Sequence, residues 1–244
     1  MIGMRLFTEL DVTWLDAVAL AFFIVAWIGY AAFATKQHGR NVPSLHTSMD
    51  AFRRSWMVCM IERDNRMVDV NVMRNLSRSS QFFASTTMLI LGALIALTGY
   101  LQQALDVVSG LPFTVKGTQR LIEIKILLLV VIFAYAFFKF SWSIRQLNFC
   151  SILVGAAPKP PKDDPERYAP HINRITRITS SASVNFNNGL RAYYFGLAAL
   201  AWFLHPWLMI IATGWVVYVL YRREFHSKTM QALIEEDASQ TLRT

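Results

Sequence analysis

Charge is scarce in this chain. Only 16% of its 244 residues are Asp, Glu, Lys or Arg, against roughly 25% in soluble domains. Cysteine is scarcer still. Cys59 and Cys150 are the two present, and they form no CxxC pair. Both fall in segments assigned below to or near the cytoplasmic side, where thiols stay reduced. Neither a disulfide nor a metal site is expected of them. Reaction motifs are missing as well: there is no Gly-rich phosphate loop, no HExxH, no GxSxG and no Cys/His ligand cluster. The five histidines, 38, 46, 171, 205 and 226, are scattered, and no two stand at i,i+4. No catalytic residue, cofactor or metal is expected, and the chain reads as non-enzymatic.

What the chain has in quantity is apolar surface. Hydrophobic residues make up 54% of it, mean hydropathy is positive, and the apolar residues stand in blocks. A bilayer core takes about 20 helical residues. One block runs from Trp14 to Thr35, broken only by Asp16 near its start. A second covers Phe82 to Leu101, and a third Leu121 to Trp142, with Glu123 and Lys125 in its first turn and Lys139 in its last. Long side chains reach the interface from helix ends, so Lys139 is compatible with a span. The fourth block lasts from Ala192 to Tyr221, 30 residues closed by Arg222 and Arg223.

That last block either crosses once, as a helix kinked at Pro206, or turns at His205-Pro206 and crosses back. Basic residues decide between the two. The segment before the first block holds only Arg5; eight Lys and Arg lie from Lys36 to Arg78. Lys116 and Arg120 mark the next connection, eight more lie from Lys139 to Arg191, and four follow Tyr221. Cytoplasmic segments carry the excess of Lys and Arg. With a hairpin, 20 of the 24 basic residues lie on one side. Pro206 suits a turn or the first position of a helix, and Trp202 and Trp207 flank it as interfacial aromatics do. The expectation is an all-α integral membrane protein, a five-span helical bundle with spans near 14–35, 82–101, 121–142, 190–204 and 207–222. Its N-terminus is expected outside and its C-terminus in the cytoplasm, in a bacterial inner (plasma) membrane. The first span is expected to be retained: Ala32-Phe33-Ala34 resembles a cleavage site, but Glu9, Asp11 and Asp16 and the length of the run oppose a signal peptide.

The segments near 46–80 and 164–188 are expected to be amphipathic cytoplasmic helices. Phe52, Trp56, Met57, Met60 and Ile61 recur at helical spacing, with Arg53, Arg54 and Arg63 off that face and Ser48 placed as N-cap. Val68, Val72 and Leu76 continue a helical stripe toward the second span. After APKPPKDDPERYAPH, a proline-rich linker with a helix start at Asp164-Pro165, Ile172, Ile175, Ile178 and Ala182 repeat the pattern, with Arg174 and Arg177 among them. Such helices either lie on anionic head groups or pack into a layer of their own.

The run RNLSRSSQFFASTTMLILGALIALTG (74–99) resembles the most recognisable part of the domain-of-unknown-function 599 membrane family. FAYAFFKFSWSIRQLNFCSILVGAAP (133–158) resembles that family's second block, and NNGLRAYYFGLAALAWFLHP (187–206) is similar to its third. The resemblance implies membrane placement; the family's name carries no activity.

Candidate binding residues are therefore read from charge and depth. Arg74, Asn75, Arg78 and Gln81 lead into the second span. Arg145, Gln146 and Asn148 leave the third, and Asn185, Asn187, Asn188 and Arg191 lead into the fourth. Arginine offers bidentate donors to phosphate or carboxylate, while anchoring to lipid head groups needs the same residues. Glu123 and Lys125 are the intramembrane charges; two residues apart, they lie about 200° around a helix and do not face each other. His205 is read as an interfacial residue. Two functions follow: assembly with itself or a membrane complex, for which Ala17/Ala21 and Gly92/Ala96 supply small residues at four-residue spacing, or a small channel for an anionic solute with an arginine-lined inner mouth. The expected partners are anionic lipid head groups and a second copy or a complex subunit, and not nucleic acid.

Overall fold

The computed structural model describes residues 13–39, 45–100, 119–158 and 168–233, with the side chains of 35–39 and of residue 46 left aside. The proline-rich linker with its expected helix start, the 101–118 connection and both chain ends lie outside the described residues. Most of the described residues fall in α1 (Trp14–Gly39), α2 (Leu45–Glu62), α3 (Met67–Gly99), α4 (Gln119–Gly155), α5 (Ala169–Leu200) and α6 (Pro206–Phe225), and residues 228–233 are helical as well. No strand occurs among the described residues.

Local chemistry explains several boundaries. Thr13 and Asp16 form a reciprocal box at the mouth of α1: the Asp16 amide donates to Thr13 Oγ1 at 3.2 Å, and the Thr13 amide donates to Asp16 Oδ2 at 3.2 Å. Two of the helix's orphan donors are satisfied this way. Pro170 stands in the first turn of α5, where its missing N–H costs nothing. Ser48, expected as the N-cap of α2, instead lies inside it, because the chain is already helical from Leu45. At the far end of α4, the Arg66 guanidinium donates to the carbonyls of Val154 at 3.3 Å and Pro158 at 3.2 Å, and also to that of Ala157. A cation on the last carbonyls of a helix answers its dipole.

Helices α3 and α4 are longer than a membrane requires. They have 33 and 37 residues, or about 50 and 55 Å at 1.5 Å per residue, against about 30 Å of hydrocarbon. Neither contains a proline, so polar and apolar halves run on as one helix. Among the described residues, three helices are long and apolar enough to cross a membrane, within Trp14–Ala34, Met67–Gly99 and Gln119–Gly155. Five such segments were expected. The difference lies in the last apolar block: a 3-10 turn at Ala201–Phe203 divides it between α5 and α6. Each piece is thereby left shorter or more polar than the undivided run.

The chain forms two compact units, one from residues up to 35, 86–137 and 190–220, the other from 36–85, 138–189 and 221 onward. In the first, one face of α1 is buried through Asp16, Ala19, Phe23 and Tyr30, a three- and four-residue spacing. Phe23 meets Phe195 edge-on at 5.7 Å, and Trp27 stacks on Phe195 at 6.1 Å and meets Tyr135 at 5.6 Å. The outward faces are apolar: Trp14, Val25, Met88, Leu89, Ile95, Ile211 and Trp215 are all exposed. A surface of that kind is stable against lipid and not against water.

The second unit has its own core. Met57, Met60 and Ile61 of α2, Met73 of α3, Leu147, Cys150 and Val154 of α4, and Ile175 and Ala182 of α5 are buried together, with Trp56, Ile172 and Ile178 packed against them. The helical stripe Val68, Val72, Leu76 does run on into the apolar part of α3, and all three side chains are exposed. The buried face of this part of α3 is Asp69, Met73, Ser77 and Ser80. Asp69 can be buried because Trp56 Nε1 donates to its Oδ1 at 2.7 Å and Arg63 at 2.6 Å. Arg53, expected to be off the packed face of α2, is inside, its side chain only 14% exposed.

Candidate functional site

The polar residues of the second unit form a seam between α4 and α5. Lys139, Ser143, Gln146 and Cys150 recur at four, three and four residues along α4 and so share one face. Each meets a polar atom of α5. Lys139 Nζ donates to Asn185 Oδ1 at 3.3 Å, and Asn185 Nδ2 donates to Gln146 Oε1 at 2.9 Å. Gln146 Nε2 donates to Ser181 Oγ at 2.7 Å. Ser143 Oγ donates to the Ala182 carbonyl at 2.8 Å, and Cys150 Sγ lies 3.2 Å from Thr179 Oγ1. Buried polar groups are costly unless partnered, and along this seam they partner one another. At one end the helices come very close: a Cβ built on Gly189 would stand 2.6 Å from the Phe140 ring.

Beside the seam lies a cavity of about 450 Å³ walled by α2, α3, α4 and α5. Met49, Phe52, Trp56, Leu147 and Phe186 give it an apolar body, and Ser79, Ser80, Ser143, Thr179 and Ser183 put hydroxyls on its walls. Arg53 is the charged residue of the lining. Its guanidinium donates to Asp50 Oδ1 at 2.5 Å and to Ser183 Oγ at 2.8 Å, and Ser180 donates to the same Asp50 oxygen at 2.6 Å. Size and lining are those of small-molecule pockets, which run to about 300–1,000 Å³ with an apolar wall and few polar groups.

The first unit holds a second polar cluster. Lys125 Nζ donates to the Trp202 carbonyl at 2.8 Å and lies 5.4 Å from the centre of the Trp202 ring. Trp202 Nε1 donates to Asp16 Oδ1 at 2.8 Å. The two opposite charges thus take hold of one tryptophan from both sides, and Lys125 feels the field of Asp16. Asp16, Lys125 and Trp202 are 3%, 6% and 1% exposed.

The family model described as "Protein of unknown function, DUF599" matches residues 18–229. The chain belongs to that family. Every residue of the seam and of the cavity lies inside the DUF599 match, and so do Lys125 and Trp202; Asp16 stands two residues before it begins. No curated protein and no solved structure matches the chain.

In this DUF599 chain the residues singled out from sequence divide sharply. Gln146 and Asn185 are buried and bonded to each other. Arg74, Asn75, Arg78, Gln81 and Asn148 are exposed. Arg145 is exposed too, with its guanidinium 5.9 Å over Trp142 and 5.8 Å over Phe149 of its own helix. Of the arginines, Arg53 lines the cavity described above, and Arg74, Arg78 and Arg145 are not among its lining residues. Arg191 belongs to the first unit and is half-buried, 5.5 Å over the Tyr30 ring. Glu123 is exposed and accepts from Gln119 at 3.1 Å, while Lys125 is buried, as their two-residue separation requires. His205 is half-buried, its Nδ1 accepting from the Trp207 amide at 3.2 Å.

Sequence reasoning missed Asp16, Trp202, Asp50, Arg53, Ser143 and Thr179. Thr13-x-x-Asp16 at the start of an apolar run is a capping signature, and an acid at the edge of a span calls for a partner. The serines carried no such signal, since their spacing matters only once α4 and α5 are known to be neighbours.

Proposed function

We propose that the chain is a five-span integral membrane protein, with its N-terminus outside and its C-terminus cytoplasmic, that acts by binding and assembly and not by catalysis. The commitment of its polar groups carries this reading. Ser143 donates to the Ala182 carbonyl, Thr179 to the Ile175 carbonyl and Ser80 toward the Leu76 carbonyl. The first bond joins α4 to α5 and the other two turn back within their own helices; hydroxyls committed to carbonyls in this way are not poised as nucleophiles. The unit boundaries support the span count: the chain changes unit at 35/36, 85/86, 137/138, 189/190 and 220/221, close to where the apolar blocks meet basic segments. The turn at Ala201–Phe203 and the start of α6 at Pro206 support two short spans in place of one kinked helix. The anion-pathway reading draws no support from Arg74, Arg78 or Arg145, which are exposed and do not line the cavity.

Reporter fusions at Pro206 and Thr244 test the topology: the turn is expected to report outside and the tail inside. A tail that reports outside would sink the hairpin.

The face available for assembly is that of Gly92 and Ala96. Both are exposed, and a Cβ built on Gly92 meets nothing within 4 Å. No helix among the described residues packs against Gly92, and small residues let a helix from another copy approach closely. Gly92→Ile is expected to leave the folded monomer as stable as before, or slightly more so, because glycine is a poor helix former. Crosslinked dimer in detergent is expected to fall several-fold. An unchanged dimer yield would place the assembly face elsewhere.

A further inference from the structure

We propose that the cavity beside the α4–α5 seam is a binding site for a neutral, lipid-derived amphiphile, one chain with a hydroxyl- or ester-bearing head of the monoacylglycerol kind. The proposal rests on the membrane placement argued above, but not on the number or direction of the spans.

The apolar body of the cavity asks for a hydrocarbon chain. Its walls carry aromatic and aliphatic side chains from four helices: Phe52 and Trp56 of α2, Leu76 of α3, Leu147 of α4 and Phe186 of α5. Apolar wall of this kind is covered more favourably by a hydrocarbon chain than by water.

The polar part of the wall sets the head group. Arg53 is bonded to Asp50 and to Ser183, and Asp50 also accepts from Ser180. The charges of this corner cancel before any ligand arrives. A carboxylate or phosphate entering there would give up its hydration without a free cation to meet it, which is unfavourable. A neutral head faces no such cost. Ser183 Oγ accepts from Arg53, so its own O–H remains to donate. The oxygens of Ser143 and Thr179 donate to backbone carbonyls and keep lone pairs to accept. A wall that both donates and accepts matches a hydroxyl or ester.

The position along the helices sets the source. Ser79 and Ser80 stand immediately before the apolar stretch of α3 that opens at Phe82, and Ser143 follows the apolar stretch of α4 that closes at Trp142. The hydroxyls therefore lie at the depth where lipid chains give way to head groups. The cavity opens along α3, where Val72, Leu76 and Ser79 are exposed.

The experiment uses the full chain in phosphatidylcholine nanodiscs with a diazirine-bearing monoacylglycerol, alongside a fatty acid and a phosphatidylglycerol carrying the same photoreactive chain. The monoacylglycerol is expected to label peptides spanning 49–56, 72–80 and 179–186, at least several-fold above the two anionic probes. Leu76→Trp, which fills the cavity from its open edge, is expected to lower that labelling about tenfold while the protein elutes as before. Val72→Trp is the second filling variant should the first fail to fold. Equal labelling by the fatty acid would overturn the head-group assignment. Labelling confined to lipid-facing residues such as Val25 and Leu89, or unchanged in the filled variants, would overturn the site. A topology that differs from the five-span reading moves neither result, since labelling is read with the chain already in a bilayer.

Discussion

Replacing Lys125 with methionine is expected to destabilise the folded chain by about 1–3 kcal/mol, the usual cost of leaving a buried hydrogen-bond partner unsatisfied. Methionine keeps the length and apolar stem of lysine, so packing changes little. What is lost is electrical and hydrogen-bonded. The Trp202 carbonyl loses its donor at 2.8 Å, and Asp16, 3% exposed, loses the ammonium on the far side of the same tryptophan. Asp16→Asn alone is expected to cost less than Asp16→Ala. The amide oxygen can still accept from Trp202 Nε1 as Asp16 Oδ1 does, although the amide nitrogen in place of Oδ2 cannot accept from Thr13; alanine loses both bonds, and a lost capping interaction costs about 1 kcal/mol. The informative variant is the pair. In Asp16→Asn/Lys125→Met both charges are gone, and the double variant is expected to be more stable than Lys125→Met by itself. Unfolding by SDS in bicelles, followed by circular dichroism, reads all four proteins. Strictly additive losses would mean that the two charges do not act on each other, and that Trp202 is held by two independent bonds.

This cluster shows why part of the structure was legible in advance and part was not. Apolar blocks, helical periodicity and the break at His205-Pro206 are properties of neighbours in sequence, and each has a local physical cause. The faces Met57/Met60/Ile61 and Ile175/Ala182 were readable for that reason: a stripe at helical spacing must be buried against something. The stripe Val68/Val72/Leu76 marks the helix in the same way, but its side chains are exposed. Burial of Asp69 turns that helix the other way, and the partners that make it affordable, Trp56 and Arg63, come from another helix. Arginines at equal depth suggested convergence, but depth says nothing about direction around a helix. Arg145 takes Trp142 and Phe149 of its own helix as partners, and Arg74 and Arg78 stay exposed. Of the candidate residues, Gln146 and Asn185 come together because their carboxamides can satisfy each other inside a core, which a pair of like-charged guanidinium groups does less readily.

Gly189→Leu is expected to destabilise the second unit strongly, and the reason is the close approach at the head of the seam. A Cβ at position 189 would stand 2.6 Å from two atoms of the Phe140 ring and 2.9 Å from a third. The ring has little room to retreat. It is fully buried, stacked on Phe83 at 5.4 Å and set edge-on to Phe186 at 5.7 Å. Overpacking of this kind costs about 1–3 kcal/mol, sometimes more, and the absence of free space puts this site at the upper end. Against that, replacing a helical glycine by leucine gains just under 1 kcal/mol of helix propensity, so a net loss of roughly 2 kcal/mol remains. Gly214→Leu separates the two effects, because no atom lies within 4 Å of a Cβ built there; that variant is expected to hold or gain stability. The double variant Gly189→Leu/Phe140→Ala takes away the obstructing ring and lets leucine occupy part of its space. It is expected to lose clearly less than the sum of its two single changes, although Phe140→Ala alone costs about 3–5 kcal/mol. Thermal stability of the purified protein, read as the temperature at which its folded elution peak halves, measures each variant. Additive losses in the double variant would show that α4 and α5 do not depend on glycine at this contact.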